Sequence, residues 1–327
     1  MDITKLWDDY GPTRLRELPA LAHRTHVGRV FVKDESERPL GNFKVLGGMV
    51  AGLRALARAG AERTSRLICA SDGNHGLSVA AAARRAGARA AVYLPEHVSH
   101  SRAARIEALG GEIVWISGTY DDAVTAAAQA AARGVGVLIP DTSPDPDDPV
   151  VHDVMAGYAL LTRELLTQFR DEAADRPSHV FVQAGVGGLA AAVADGLAHV
   201  LREPKRILIV EPQAAACVAR ALQAGRPVRI DGDLHTAAEM LSCGLASAAA
   251  LEILKRYEVH SLTVDENELL AAVDVLREVQ GPATTPSGAA GLAGLLHAAR
   301  PHLREAHRLG PDSSVLLIAT EGPLVNV

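Results

Sequence analysis

Three short segments carry residues of the kind that do chemistry. Gly41-Asn42-Phe43-Lys44-Val45-Leu46-Gly47-Gly48 sets a lysine in a polar, glycine-bounded turn where a helical pattern begins. At a helix amino terminus an ammonium faces the positive end of the macrodipole. That placement predicts a lowered amine pKa, as a nucleophilic amine requires. Ser71-Asp72-Gly73-Asn74-His75-Gly76 follows an apolar run at 67–70 and opens another helical pattern. Its side chains are expected at the carboxyl end of a parallel strand, where open sheets bind ligands. Gly185-Val186-Gly187-Gly188-Leu189 joins the run 180–183 to an Ala-rich stretch. Glycines there let backbone amides converge on an anion at a helix amino terminus, which makes a phosphate cradle.

Each segment also has a plain structural reading. A lone lysine is usually a solvated surface group, Ser71, Asp72 and Asn74 also suit turns and helix caps, and a glycine-rich turn also serves close packing. No Gly-Lys-Ser/Thr follows the glycine loop, so it is not a nucleotide-hydrolysing P-loop. A clean GxGxxG is absent too, although Glu211 ends the next strand where a ribose-binding acid would stand. The chain has 13 histidines without an HxH or HxxxH pair, and Cys69, Cys217 and Cys243 are widely spaced with no CxxC. Neither a metal centre nor a disulfide framework is expected.

The elements that must position these residues alternate. Short apolar runs at 30–32, 67–70, 90–94, 112–116, 137–139, 180–183, 207–210, 261–264 and 315–318 read as buried parallel strands. Helical patterns at 47–59, 77–86, 101–109, 120–132, 150–169, 189–201, 266–280 and 288–299 separate most of them. The class is α/β. Residues 142–149, with three prolines and three aspartates, predict an exposed turn and domain hinge, and 171–178 a second polar joint.

A chain of 327 residues with 48% hydrophobic and 22% charged residues folds around a sizeable core. A net charge of −6 and 3% aromatics offer no basic field or stacking platform for nucleic acid. No apolar run approaches the ~20 residues that cross a bilayer, so no membrane association is expected. Residues 1–10 lack the pattern of a secretion or import signal, which predicts a cytoplasmic protein.

Lys44, the 71–76 loop and the 185–189 loop occur in an order that resembles fold type II pyridoxal 5'-phosphate (PLP) enzymes, the tryptophan synthase β-like family. The resemblance spans nearly the whole chain. Val32-Lys33-Asp34-Glu35-Ser36, Phe43-Lys44-Val45-Leu46-Gly47-Gly48, Ser71-Asp72-Gly73-Asn74-His75-Gly76, Tyr120-Asp121-Asp122-Ala123, Pro140-Asp141-Thr142-Ser143 and Thr320-Glu321-Gly322 look more narrowly like diaminopropionate ammonia-lyase. The resemblance implies that Lys44 forms the Schiff base with PLP. Gly185, Val186, Gly187, Gly188 and Leu189 would bind its phosphate, Asn74 its ring hydroxyl, and Thr320 its pyridine nitrogen. Ser71, Asp72, Gly73, Asn74 and His75 would hold the substrate carboxylate. Asp72 would serve with Lys44 as a second acid/base, and Asp141 matches an acidic position near the substrate.

The implied fold is two doubly wound parallel-sheet domains with the cofactor between them. The smaller, substrate-side domain spans 46–146, and the larger, PLP-binding one 1–45 and 147–327. The implied reaction is α,β-elimination of ammonia from 2,3-diaminopropionate or a related β-substituted amino acid, giving a keto acid through an aminoacrylate, in a homodimer. A β-replacement synthase or a serine/threonine dehydratase keeps PLP but changes the outcome or substrate. A nicotinamide-dependent oxidoreductase would use the 185–188 turn and Glu211 but leaves Lys44 without a task. A noncatalytic ligand-binding descendant is the last alternative. Pro323 and the turn 284–288 depart from the family pattern, and these departures bear on the substrate rather than the cofactor.

Overall fold

The computed structural model describes residues 10–60, 65–71, 73–171 and 176–323. Strands β1 (Leu15–Glu17), β2 (Arg29–Asp34), β7 (His179–Gln183), β8 (Arg206–Pro212), β9 (Val259–Val264) and β10 (Ser314–Ala319) form one sheet in the order β1-β2-β10-β7-β8-β9. Strands β3 (Arg66–Ala70), β4 (Arg89–Pro95), β5 (Gly111–Ile116) and β6 (Val137–Leu138) form a second sheet in the order β5-β4-β3-β6. Every pairing is parallel except that of β1 with β2. The expected α/β class with two parallel-sheet domains is the one observed. All nine expected strands form, and β1, three residues on an edge, is the addition.

The apolar runs are continuous because both faces of each sheet are covered. In β3, Leu67 and Cys69 enter the main core, while Ile68 and Ala70 meet Ala123, Ala127 and Ala130 of α5 (Tyr120–Ala132). That spacing lines one face of a helix. In the larger sheet, Val180, Val182, Ile207, Ile209, Leu316 and Ile318 face the main core. Phe181, Leu208, Val210, Val315 and Leu317 face a second core closed by α1 (Pro19–Thr25), α10 (Glu266–Glu278) and α11 (Pro286–Ala298).

The main core is filled by α2 (Lys44–Arg58), α3 (Asn74–Ala86), α6 (Pro149–Asp171) and α7 (Gly188–Leu197). Helices α4 (His100–Glu107), α8 (Cys217–Ala224) and α9 (Ala248–Leu254) complete the described α-helices. Val151, Val154, Tyr158, Leu161 and Leu165 form the buried stripe of α6. Where α6 crosses α2, a Cβ on Gly157 would overlap the Leu46 carbonyl, and one on Gly47 would overlap the Tyr158 ring. Only glycines allow this approach, which fixes the end of α2 that carries Lys44.

A buried ionic cluster anchors the chain ahead of α2. Lys33 donates to Glu164 at 2.6 Å, and Arg38 reaches Glu35 at 2.7 Å and Glu164 at 2.8 Å. The expected hinge is an exposed turn at 144–147. Asp148 closes it by accepting the Val150 and Val151 amides of α6. Among the described residues no helix is long and apolar enough to cross a membrane.

Candidate active site

Parallel pairing brings the ends of β3 and β6 together in one sheet and those of β7 and β10 in the other. Ser71, Asp141, Gly185 and Thr320 stand just beyond those four carboxyl ends. The segment before Lys44 is stitched to the end of β10: the Phe43 amide donates to the Thr320 carbonyl at 3.0 Å and the Gly322 amide to that of Gly41 at 2.9 Å. The result is a cavity lined by Lys44, Ser71, Gly73, Asn74, His75, Asp141, residues 185–189 and Thr320. Asp72 lies outside the described residues. Every other site residue that the family resemblance implies reaches this one cavity.

Lys44 is the first residue of α2, and its Nζ donates to Asp141 Oδ2 at 2.7 Å. Asp141 Oδ1 accepts the Tyr120 hydroxyl at 2.9 Å. The expectation of a lowered amine pKa is corrected here. Burial does work against the ammonium, but the Asp141 carboxylate beside it outweighs both burial and the helix end and holds the amine above its usual value. Burial likewise opposes the Asp141 carboxylate, yet the Lys44 ammonium and the Tyr120 hydroxyl hold it well below the usual carboxylate range.

The loop after β3 is braced from within. Ser71 Oγ accepts the Gly73 and Gly76 amides, both at 2.8 Å, so its lone pairs are spent on the turn. His75 Nε2 lies 2.8 Å from the Ile139 carbonyl, which assigns the proton to Nε2 and ties α3 to the segment carrying Asp141. Among the described residues its buried Nδ1 has no hydrogen-bond partner. Burial pushes the His75 pKa down, so the ring is neutral.

Gly187 has φ +97°, a left-handed conformation that glycine adopts freely, and it turns the chain into α7. Among the described residues the amides of Gly185, Val186 and Gly187 donate to no protein acceptor. Unpaired amides at the start of a ten-residue helix suit a phosphate. Opposite them, Thr320 Oγ1 accepts from Gln183 Nε2 at 3.2 Å, which leaves its own proton free to be donated to a ring nitrogen. An amine, a set of free amides and a hydroxyl converging on one cavity fit PLP.

Sequence reasoning did not single out several lining residues. Tyr120 and Glu321 stood inside the matched motifs with no role attached. Tyr158, Gln183 and Met240 sit in apolar or unpatterned stretches that give no chemical signal, and Cys243 drew notice only as a thiol without a metal or disulfide pattern. Glu321 is buried, accepts the Thr285 hydroxyl at 2.5 Å and also bonds the Asn74 amide. Burial raises its pKa against those two hydrogen bonds. Glu211, which the oxidoreductase reading needs, does not line the cavity. It is buried and accepts the Val218 and Ala219 amides at 2.7 and 2.8 Å, anchoring α8.

Comparison with known proteins agrees with this geometry. Residues 6–321 match the family described as pyridoxal-phosphate dependent enzyme. The diaminopropionate ammonia-lyase of Escherichia coli K12 is 33% identical over 340 residues, covering 96% of this chain and 85% of that protein. The crystal structure of the E. coli enzyme in complex with an aminoacrylate-PLP azomethine reaction intermediate superimposes with a TM-score of 0.90 at 30% identity, covering 98% of this chain and 87% of that one. A threonine deaminase from T.th. gives 0.79 at 30% identity, covering 95% and 92%. With the family model matched over most of its length and its two sheets superimposing on those of a solved member, this chain belongs to the fold type II pyridoxal-phosphate-dependent enzymes, and PLP is its cofactor.

Proposed function

We propose that the protein is an ammonia-lyase acting on 2,3-diaminopropionate or a related β-substituted amino acid. The observation that carries this reading is the convergence of Lys44, the free amides of 185–187 and the Thr320 hydroxyl on one cavity, in a chain 33% identical to a diaminopropionate ammonia-lyase.

The glycine loop 185–189 would hold the cofactor phosphate, Asn74 the ring hydroxyl and Thr320 the pyridine nitrogen. When bound, PLP accepts the electron pair left at Cα after proton removal. Lys44 would anchor the cofactor and, as a free amine, would take the Cα proton at close range. Asp141 orients that amine, and Tyr120 orients Asp141. Loop residues Ser71, Asp72, Gly73, Asn74 and His75 receive the substrate carboxylate, with Asp72 as the second acid/base. Thr320 offers the pyridine nitrogen a neutral hydroxyl rather than a carboxylate, which suits elimination better than transamination. Hydrolysis of the eliminated product then gives pyruvate and ammonia.

We assign residues 46–146 to a substrate-side domain and residues 1–45 and 147–327 to a PLP-binding domain. The split is supported by the confinement of the four-stranded sheet to 66–138. A homodimer completes the reading on the strength of the family resemblance.

An absorption spectrum before and after borohydride, with a Lys44→Ala variant, tests the anchor. A band near ~410–420 nm is expected, lost on reduction and absent from the variant. Product analysis with 2,3-diaminopropionate, serine and threonine, with and without added nucleophiles, tests the reaction. Pyruvate and ammonia from diaminopropionate, unchanged by nucleophiles, is the expected result. A new β-substituted amino acid would point to a synthase, and turnover confined to serine or threonine to a dehydratase.

A further inference from the structure

Two carboxylates among the described residues line the catalytic cavity, and they are placed differently. Asp141 already holds the Lys44 ammonium. Glu321 has no cationic group within 4 Å among the described residues, and its partners, the Asn74 amide and the Thr285 hydroxyl, are neutral. Lys44, Arg102 and Arg105 act on it only at longer range. The residue is 6% exposed. A buried carboxylate without a paired cation is costly, and the cost falls when a ligand brings the missing charge.

We infer that Glu321 is a specificity-determining residue that pairs with the β-ammonium group of a diamino acid substrate. This rests on the ammonia-lyase reading above and names the feature by which the site would select such a substrate over a hydroxy amino acid. The carboxylate is held in place before substrate arrives. Thr284 donates to the Glu321 carbonyl at 2.5 Å, residue 321 pairs with Asn42, and Thr285 fixes Oε1. Each carboxylate oxygen keeps a further lone pair for an ammonium. The adjoining cavity, which shares Asn74 and Glu321, carries Arg102 and Arg105, so both arginines lie on the far side of Glu321 and neither lines the catalytic cavity.

The chemistry of the leaving group agrees. As the Cα–H bond gives its proton to the base, the Cα–Cβ double bond forms and the Cβ–N bond breaks. Nitrogen takes that bonding pair and departs as neutral ammonia, provided it enters the step as an ammonium. A carboxylate beside it holds that proton in place. A serine hydroxyl gains much less from the same partner.

The test uses the holoenzyme with Glu321→Gln and Glu321→Asp, and measures kcat and KM for 2,3-diaminopropionate and for serine. Cofactor loading is read from the absorption spectrum, and substrate binding from its change on titration. In Glu321→Gln the ratio of kcat/KM for diaminopropionate to that for serine should fall about 10- to 100-fold, the scale of one charged hydrogen bond, mostly through KM. Glu321→Asp should shift the ratio in the same direction by less, and it decides the matter if the glutamine variant loads poorly. An unchanged ratio in both variants would overturn the inference. A wild-type enzyme that turns over serine but not diaminopropionate would instead overturn the substrate reading beneath it.

Discussion

The Lys44 amine and the Asp141 carboxylate meet at 2.7 Å, although one begins a helix and the other follows a strand almost a hundred residues later. The helix carrying Lys44 is set by its glycine crossing with α6, and the strand carrying Asp141 by pairing with β3. Asp141→Asn keeps a hydrogen-bonding group for Tyr120 but removes the charge that raises the lysine pKa. Turnover of 2,3-diaminopropionate should fall about 100-fold, the scale of a reacting group that loses its positioning partner. Direct titration of the lysine in the cofactor-free variant should give a lower pKa than in the wild type.

The glycine loop gives a second expectation. Gly187→Ala forces a side chain into a left-handed conformation and brings its Cβ within 3.2 Å of Val218. Stability should fall by about 1–2 kcal/mol, read from urea unfolding of the cofactor-free protein. Because the turn aims the amides of 185–187, affinity for PLP should fall as well. Fluorescence titration of that protein with PLP checks this, and affinity equal to wild type would remove the loop from phosphate binding.

Much of this was legible in the sequence because both faces of each sheet are buried. Residues such as Val180 and Phe181 point to opposite cores yet are equally apolar, so strands appear as uninterrupted runs. The loops at their carboxyl ends stood out for the same reason, as polar or glycine-rich breaks after apolar runs. Lys44 was found by its turn, but its charge state was misjudged. The macrodipole is a local feature, whereas Asp141 arrives through tertiary structure. Glu321 was quoted within a motif without being seen as buried, since burial depends on Asn74 and Thr285, neither of which is near it in sequence. Strand β1 was invisible because three residues with two charges carry no periodicity.

The ionic cluster under residues 33–38 should behave as a unit. Glu164 accepts from both Lys33 and Arg38, and all three side chains are nearly inaccessible to solvent. Glu164→Ala would leave two buried cations short of a partner and is expected to cost about 3–5 kcal/mol. Urea unfolding measures this. A double variant in which Lys33 is also replaced by Met should recover part of the loss, since it removes one of the stranded charges. No recovery would mean that the lost packing of Glu164, rather than its charge, sets the cost.

Glu211 supplies a stability signature with a definite sign. Burial pushes its carboxyl from an ordinary value of 4.5 up to about 8, against the opposing hydrogen bonds from the Val218 and Ala219 amides. Between those two pH values the folded protein keeps a proton on Glu211 that the unfolded chain has lost. Unfolding then releases a proton, so stability falls as pH rises through the window. Glu211→Gln has nothing to titrate and can still accept one of the two amide hydrogen bonds through its side-chain carbonyl. Urea midpoints of wild type and variant should therefore converge or cross as pH increases, with the wild type ahead at the acid end. Other groups, including His179, which burial pushes down to about 4, titrate alike in both proteins and cancel in the difference. A difference independent of pH across the window would place the Glu211 carboxyl at an ordinary pKa and make its contacts with α8 those of a plain carboxylate.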